Sequence, residues 1–99
     1  MILTKDQITD VVKKFFSDKP VKKVWLFGSY ARGEADENSD VDVMVDIDYD
    51  NLLSGFEYFG WHQDLGERVH KKVDVVSYKW VNKYILPHIK ADMEVIYEK

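Results

Sequence analysis

The 99-residue chain contains no cysteine, only two prolines and no hydrophobic run long enough to cross a membrane. Without cysteine, neither a disulfide bond nor a thiolate metal site can form. The first residues also lack the basic and apolar regions of a secretory signal peptide. These absences argue against a disulfide-bonded secreted scaffold and a membrane protein. They predict a cytoplasmic protein that does not bind membranes.

Basic residues are missing from one long stretch of the chain. From Glu34 to Glu67 there are eleven acidic residues and no lysine or arginine, so this stretch carries a formal charge of −11 while the remainder carries +7. A strongly negative zone attracts divalent cations and repels a phosphate backbone. The distribution therefore predicts that the protein does not bind duplex nucleic acid.

Length and patterning predict one domain over residues 1–99, since 45% of the residues are hydrophobic and no repeat or linker divides the chain. A capping box formed by Thr4 and Gln7 precedes helical apolar spacing, which predicts a first helix that ends by Pro20. The remaining pattern predicts strands over 21–27, 39–48, 72–77 and 93–97 and helices over 52–70 and 81–86, with a break at Pro87.

The aromatic residues of the predicted 52–70 helix divide between two sides. Phe59 falls with the other apolar residues on the inward side, whereas Tyr58 and Trp61 fit that side poorly. We expect Tyr58 and Trp61 to form an exposed aromatic patch, a feature that suits a protein partner. Ordinary partial burial of both rings is an equal alternative.

A pair of aspartates follows a buried strand at a fixed distance. An apolar run ends at Phe27, Gly28 and Ser29 follow it, and ten residues after Ser29 the chain reads Asp40-Val41-Asp42. On a strand, Asp40 and Asp42 share one face about 6 to 7 Å apart. Their repulsion is relieved by a divalent cation, and Mg²⁺ suits carboxylate and phosphate oxygens.

The turn after Phe27 is the expected position of the phosphates. Gly28 permits close approach of another backbone, and Ser29 adds a hydroxyl at a helical turn with free N–H groups. Arg32 lies on the same side of that turn and adds a positive charge. Asp46 and Asp48 continue the alternation of Asp40 and Asp42, but their distance from Gly28 favours exposed strand-end positions without a metal.

A further aspartate lies in the apolar strand predicted over 72–77. A carboxylate in such a run must be paired, metal-bound or protonated, so Asp74 is a third candidate for the metal site. The intervening helix favours a right-handed crossover, which sets this strand parallel to the motif strand or near it. The three histidines, His62, His70 and His88, share no ligand spacing, and we treat them as structural or exposed.

Other phosphate and metal motifs fail against the sequence. A P-loop requires lysine where the chain has Glu34, and an EF-hand beginning at Asp36 requires glycine and glutamate where the chain has Val41 and Ile47. Metal-dependent sugar transferases that carry Asp-x-Asp need a larger domain. A solvated acidic loop before an edge strand remains the alternative explanation for Asp40 and Asp42.

The spacing of Gly28-Ser29 and Asp40-x-Asp42 resembles the signature of the polymerase-beta-type nucleotidyltransferase superfamily, and residues 28–33 resemble its minimal nucleotidyltransferase (MNT) branch. The resemblance implies an α/β (α+β) fold with a small mixed β-sheet of about four strands and helices packed on one face. It implies two Mg²⁺ ions, or Mn²⁺ in their place, held by Asp40, Asp42 and Asp74. Gly28, Ser29 and Arg32 would contact the phosphates of ATP, the expected substrate.

The same resemblance implies a partner. Members of the MNT branch act as antitoxins of helical HEPN proteins, some by adenylylating a tyrosine, and we expect this chain to act likewise. Two alternatives stay open at this stage. One is an idle binding module that neutralises its partner by occlusion. The other is an adenylyltransferase for small molecules, which is less favoured because the sequence encodes no evident acceptor pocket.

Overall fold

The computed structural model describes residues 3–52 and 55–99. Local sequence signals place the first helix, since the Thr4 hydroxyl accepts a hydrogen bond from the Gln7 N–H at 3.1 Å and the Gln7 side chain accepts one from the Thr4 N–H at 2.8 Å. Leu53 and Ser54, within the predicted 52–70 helix, lie outside the described residues. The helices and strands are α1 (Lys5–Phe16), β1 (Val21–Phe27), α2 (Gly28–Arg32), β2 (Val41–Ile47), α3 (Gly55–Val69), β3 (Val73–Ser77), α4 (Leu86–Asp92) and β4 (Glu94–Glu98).

The four strands form one mixed sheet in the order β3-β2-β1-β4. Strand β1 runs antiparallel to β2 and β4, whereas β2 and β3 run parallel, which confirms the predicted orientation of the Asp74 strand. In this register Asp42 lies opposite Phe27 on one side and opposite Asp74 on the other. The sheet topology therefore makes Asp42 and Asp74 direct neighbours.

The main core lies between one face of the sheet and the helices α1 and α3. Side chains such as Ile8, Val24, Val43 and Leu65 are fully buried there. Strand alternation sends Trp25 and Met44 to the opposite face, where Ile89 of α4 packs against them. The predicted mixed sheet of four strands with helices packed on one face is confirmed, with α1 and α3 as those helices. The short helix α4 lies over the second face, because that face also carries apolar side chains that need a cover.

The inward side of α3 differs from the sequence prediction. Trp61 is 1% exposed and lies edge-on against Phe16, while Phe59 is 66% exposed. Trp61, Leu65 and Val69 recur at intervals of four residues and form the buried stripe. Tyr58 and Trp61 therefore do not form an exposed patch, because the helix turns them toward the core and turns Phe59 outward.

The helix predicted over 81–86 is also wrong. The Ile85 N–H donates to the Asn82 carbonyl at 3.0 Å in a turn, and α4 begins only at Leu86. Pro87 occupies the first turn of α4 and does not end a helix. Its fixed φ suits the start of a helix, where its missing N–H has no intrahelical partner to lose.

No helix among the described residues is long and apolar enough to cross a membrane.

Candidate active site

Gly28 brings the end of β1 against an aspartate of the neighbouring strand. Its φ of +75° lies in the left-handed region that L side chains rarely adopt. A Cβ atom at this position would also overlap Oδ2 of Asp42 and lie 3.2 Å from the Asp42 Cγ. Only glycine both adopts this backbone conformation readily and leaves room for the Asp42 carboxylate. The turn after β1 is therefore packed directly against Asp42.

Asp42 and Asp74 form the centre of the site. They are partners across the parallel β2–β3 pair, and both side chains line the same cavity. Burial, the negative charges of Asp74 and Asp40 and a hydrogen bond with Asp74 together raise the pKa of Asp42 to about 6. Arg32 opposes this rise. Without a bound cation, Asp42 therefore keeps its proton to a higher pH than an isolated aspartate does.

Asp40 stands apart from this pair. Its carboxylate Oδ2 lies 4.0 Å from the Lys72 Nζ, and its side chain is 43% exposed. Within residues 3–52 and 55–99, no group of three or more His, Cys, Asp or Glu side chains is arranged so that it would hold a metal ion. The structure brings Asp42 and Asp74 together and leaves Asp40 within electrostatic reach of Asp42, so the three-aspartate ligand set stays a prediction.

The donor set at the centre nevertheless fits a divalent cation. The facing carboxylates of Asp42 and Asp74 repel each other, as the raised pKa of Asp42 indicates, and a cation between them would remove that cost. Their hard oxygen atoms suit Mg²⁺, which takes few protein ligands and completes its shell with water and phosphate oxygens. The turn at Gly28 lies directly against the Asp42 carboxylate.

Arg32 has two partners that the sequence did not indicate. Its Nε lies 3.0 Å from Glu34 Oε2, and its Nη1 lies 2.8 Å from Asp92 Oδ2 at the end of α4. These bonds raise the pKa of Arg32, since both carboxylates favour its charged form. Arg32 thus ties α2 to α4, and its predicted contact with phosphates would require it to leave or share these partners. Ser29, the second residue of α2, is partly buried.

A cavity of about 560 Å³ extends from the Asp42–Asp74 pair toward the segment between β3 and α4. The described side chains that line its far end are mostly apolar, and Trp80 and Ile85 at its rim are 72% and 52% exposed. Neither Gly28 nor Ser29 belongs to its lining. Sequence reasoning missed this cavity, although the apolar residues that follow Asp74 between positions 76 and 89 were a usable signal.

His62 and Tyr58 of α3 complete the wall beside Asp74. The Tyr58 hydroxyl donates to the Val75 carbonyl at 2.7 Å, and the Val75 N–H donates to His62 Nδ1 at 3.2 Å. The prediction that His62 is structural or exposed did not anticipate its place in this wall. No spacing in the sequence connects it to Asp74, because the contact depends on how α3 is rotated about its axis.

Comparison with known proteins identifies the family of this chain. Residues 8–99 match the family model described as Polymerase beta, Nucleotidyltransferase. A proposed protein adenylyltransferase of Methanocaldococcus jannaschii is 42% identical over 83 residues, which cover 82% of this chain and 83% of that relative. The match includes most of the chain and is close enough to establish membership of the family.

Two solved structures show the same fold. A crystal structure of a toxin-antitoxin with AMP-PNP contains a chain that matches with a TM-score of 0.78 and 20% identity, over 92% of this chain and 73% of the other. A Shewanella oneidensis structure of a tri-AMPylated HEPN toxin in complex with an MNT antitoxin matches with a TM-score of 0.73 and 16% identity, over 97% and 74% of the two chains. The chain therefore belongs to the polymerase beta nucleotidyltransferase family, has its mixed-sheet fold and is a nucleotidyltransferase.

Proposed function

We propose that this chain transfers AMP from ATP, in a Mg²⁺-dependent reaction, to a hydroxyl group on a helical HEPN-type protein partner, and that it thereby acts as an antitoxin. The observation that carries the proposal is the direct apposition of Asp42 and Asp74 beside the Gly28 turn. The relatives described as protein adenylyltransferases and the complexes of MNT antitoxins with HEPN toxins support the choice of donor and partner.

In this mechanism Asp40, Asp42 and Asp74 would hold the metal ions. Bound Mg²⁺ supplies positive charge that neutralises the phosphates during transfer. Gly28, by its lack of a side chain, and Ser29, by its hydroxyl, would bind the outer phosphates. Below about pH 6, metal binding would have to displace the Asp42 proton, because a carboxyl must ionise before it serves as a ligand.

The transfer step replaces one bond to the α-phosphorus of ATP with another. The acceptor oxygen forms a bond to the α-phosphorus, the bond between the α-phosphorus and the bridging oxygen breaks, and pyrophosphate leaves. The acceptor proton passes to the Asp74 carboxylate, which acts as general base. Entering and leaving oxygens lie roughly in line at phosphorus. Asp42 lies on β2, between β1, which leads into Gly28, and β3, which carries Asp74. Pyrophosphate would therefore leave toward Gly28, and the acceptor would enter from the side of Asp74.

The cavity beyond Asp74 supports a separate acceptor site on that side. Its rim is apolar and exposed at Trp80 and Ile85, and Tyr84 between them is 75% exposed. Exposed apolar groups next to a polar centre favour contact with another protein. This rim replaces the patch predicted at Tyr58 and Trp61 as the surface on which we expect the partner.

The proposal is tested by mixing the purified chain with ATP labelled at the α-phosphate, Mg²⁺ and the protein encoded by the neighbouring gene. We expect label on the partner, a loss of at least about a hundredfold in Asp42→Asn and Asp74→Asn, and near-normal transfer in Asp46→Asn. Asp46 is the matched control, because it lies on the same strand and face as Asp42 but farther from Gly28. Absence of transfer, or transfer that Asp42→Asn leaves intact, would reject the proposal.

The same experiment separates the occlusion alternative. If the chain only covers its partner, Asp40→Asn and Asp42→Asn neutralise the partner as well as the unaltered chain does, without any label. Alanine at Trp80 and Tyr84, and not at the buried Trp61, is then the change that abolishes neutralisation, because only the exposed rings offer a surface.

One observation favours a second candidate function, adenylylation of a small molecule. No acceptor pocket was evident from the sequence, yet the cavity beside Asp74 has a volume of about 560 Å³. A volume of this order lies within the range of small-molecule sites. Label transfer to a hydroxyl-bearing small molecule in the absence of any protein partner would favour this candidate over the antitoxin.

A further inference from the structure

Strand β3 is an edge strand, and its outer side needs hydrogen-bond partners from elsewhere. In a parallel pair, the N–H and C=O groups of one residue point to the same side, and successive residues alternate. The Val41 N–H donates to the Lys72 carbonyl and the Tyr78 N–H donates to the Val45 carbonyl, so the even-numbered residues face β2. The backbone groups of Val73 and Val75 therefore face outward, away from the sheet.

Two side chains of α3 occupy that outward side in place of a fifth strand. His62 Nδ1 accepts a hydrogen bond from the Val75 N–H at 3.2 Å and lies 3.4 Å from the Val73 carbonyl oxygen. The Tyr58 hydroxyl donates to the Val75 carbonyl at 2.7 Å. The backbone N–H can only donate, so Nδ1 must carry the lone pair and the neutral ring must carry its proton on Nε2.

These contacts enclose one residue of the active site. The Val73 carbonyl and the Val75 N–H belong to the two peptide groups on either side of Asp74. The imidazole ring of His62 thus contacts both peptide groups that set the position of the Asp74 Cα. The next peptide group is fixed by Tyr58, which itself packs edge-on against His62 at a ring distance of 5.8 Å.

From this arrangement we infer that His62 is a positioning residue, which with Tyr58 holds the edge of β3 so that Asp74 stays opposite Asp42. The inference rests on the proposed function for the role of Asp74 in transfer. An edge strand without an outer partner opens easily, and a displacement of about 1 Å at a reacting group costs on the order of a hundredfold in rate. His62 would therefore act on the reaction without touching the substrate.

The test compares His62→Leu with His62→Asn. Leucine removes the acceptor but keeps an apolar side chain, whereas the asparagine Oδ1 lies near the position of Nδ1 and still accepts from an N–H. We expect His62→Leu to lower kcat for label transfer by roughly ten- to a hundredfold. KM for ATP should change by less than about threefold, because the donor phosphates lie on the Gly28 side. His62→Asn should recover most of the rate.

A second readout follows the strand itself. Hydrogen exchange of the Val75 amide, measured by NMR, should accelerate about tenfold or more in His62→Leu and return toward the original rate in His62→Asn. Tyr58→Phe removes one hydroxyl and keeps the ring, so it should also accelerate exchange of the Val75 amide, by a smaller factor than His62→Leu. Gln63→Ala, an exposed neighbour on α3, is the matched control and should change neither quantity.

The inference is overturned if His62→Leu transfers label at the original rate, or if it loses transfer while the Val75 amide exchanges as slowly as before. It is also overturned if His62→Asn returns Val75 exchange to the original rate but leaves the rate of label transfer as low as in His62→Leu. The exchange measurement needs no partner and no ATP. A chain that fails to transfer label at all would therefore reject the proposed function, while unaltered Val75 exchange in His62→Leu would reject the positioning role by itself.

Discussion

Gly28 and Gly33 adopt the same backbone conformation in very different surroundings. Both have a φ of +75°, and Gly33 ends α2 as its C-cap. A Cβ at Gly33 would meet no heavy atom within 4 Å, whereas one at Gly28 would overlap the Asp42 carboxylate. The two glycines therefore separate the cost of a left-handed backbone from the cost of crowding the active site.

Alanine at each glycine should give different results. We expect Gly33→Ala to lower the free energy of unfolding by about 1 kcal/mol, since only the backbone conformation is strained, and to retain transfer activity. Gly28→Ala should cost about 2 kcal/mol or more and abolish activity, because Asp42 must move. Denaturant unfolding and label transfer measure the two effects. Equal losses in both variants would show that Asp42 yields to the added methyl group without consequence.

The raised pKa of Asp42 predicts how stability depends on pH in the absence of metal. Its pKa rises from 3.8 to about 6 on folding, so the folded chain holds a proton that the unfolded chain releases. The resulting stabilisation is complete below pH 3.8 and is lost as the pH rises through 6. In EDTA, Asp42→Asn should match the unaltered chain near pH 4 and exceed it by roughly 1 kcal/mol at pH 8, after allowance for the partial exposure of the side chain.

Thermal unfolding of both chains in EDTA between pH 4 and pH 8 measures this difference. The Asn variant retains the shape of the side chain and removes its charge, so the two curves should diverge only as the pH passes 6. Parallel curves over the whole range would contradict a raised pKa. A divergence of the opposite sign would mean that the Asp42 carboxylate is stabilised by a cationic partner.

The elements divide into those that local sequence signals determine and those that depend on distant contacts. The capping box of α1, the alternation of β2 and the abrupt end of β1 at Gly28 are local, and the sequence predicted each of them. Pro87 was ambiguous, because proline both follows helices and begins them. Its role was decided by Trp25 and Met44, which need a helix over the second face of the sheet.

The candidate site divides in the same way. Asp42 and Asp74 could be predicted to meet, since strand alternation and a parallel crossover bring them to one face. The contact of Arg32 with Asp92 could not be predicted, because Asp92 lies sixty residues farther along the chain and on a helix whose limits were predicted wrongly. The contact of His62 with Val75 depends on the rotation of α3, which the aromatic residues on both sides of that helix left open.

The rotation of α3 gives a test at the scale of an element. Trp61→Ala should lower the free energy of unfolding by about 3 to 5 kcal/mol, because the ring is buried against Phe16 and its loss leaves a cavity. Phe59→Ala on the same helix should change stability by no more than about 0.5 kcal/mol, since that ring is exposed. Chemical denaturation measures both. Similar losses would indicate that α3 also buries Phe59, as the sequence pattern suggested.

At the scale of the whole molecule, charge and topology act together. The stretch from Glu34 to Glu67 carries a formal charge of −11 and includes β2, which lies inside the sheet. A field of this size attracts Mg²⁺ to the surface without specificity, and salt screens that attraction. Cation binding alone therefore does not demonstrate a specific metal site. The apposition of Asp42 and Asp74 predicts a component of binding that salt screens less, because the pair is partly buried.

This distinction gives a prediction for Mg²⁺ and ATP together. At concentrations about a hundredfold above the dissociation constant, binding to the folded chain should add about 2.7 kcal/mol to its stability and raise Tm by roughly 10 to 20 °C. Asp42→Asn and Asp74→Asn should lose this shift, whereas Asp46→Asn should keep it although it removes the same charge from the same strand. Differential scanning calorimetry at low and high NaCl measures the shifts. If Asp46→Asn lowers the shift as much as Asp42→Asn, or if NaCl removes it entirely, the cation is held by the diffuse negative field and not by the aspartate pair.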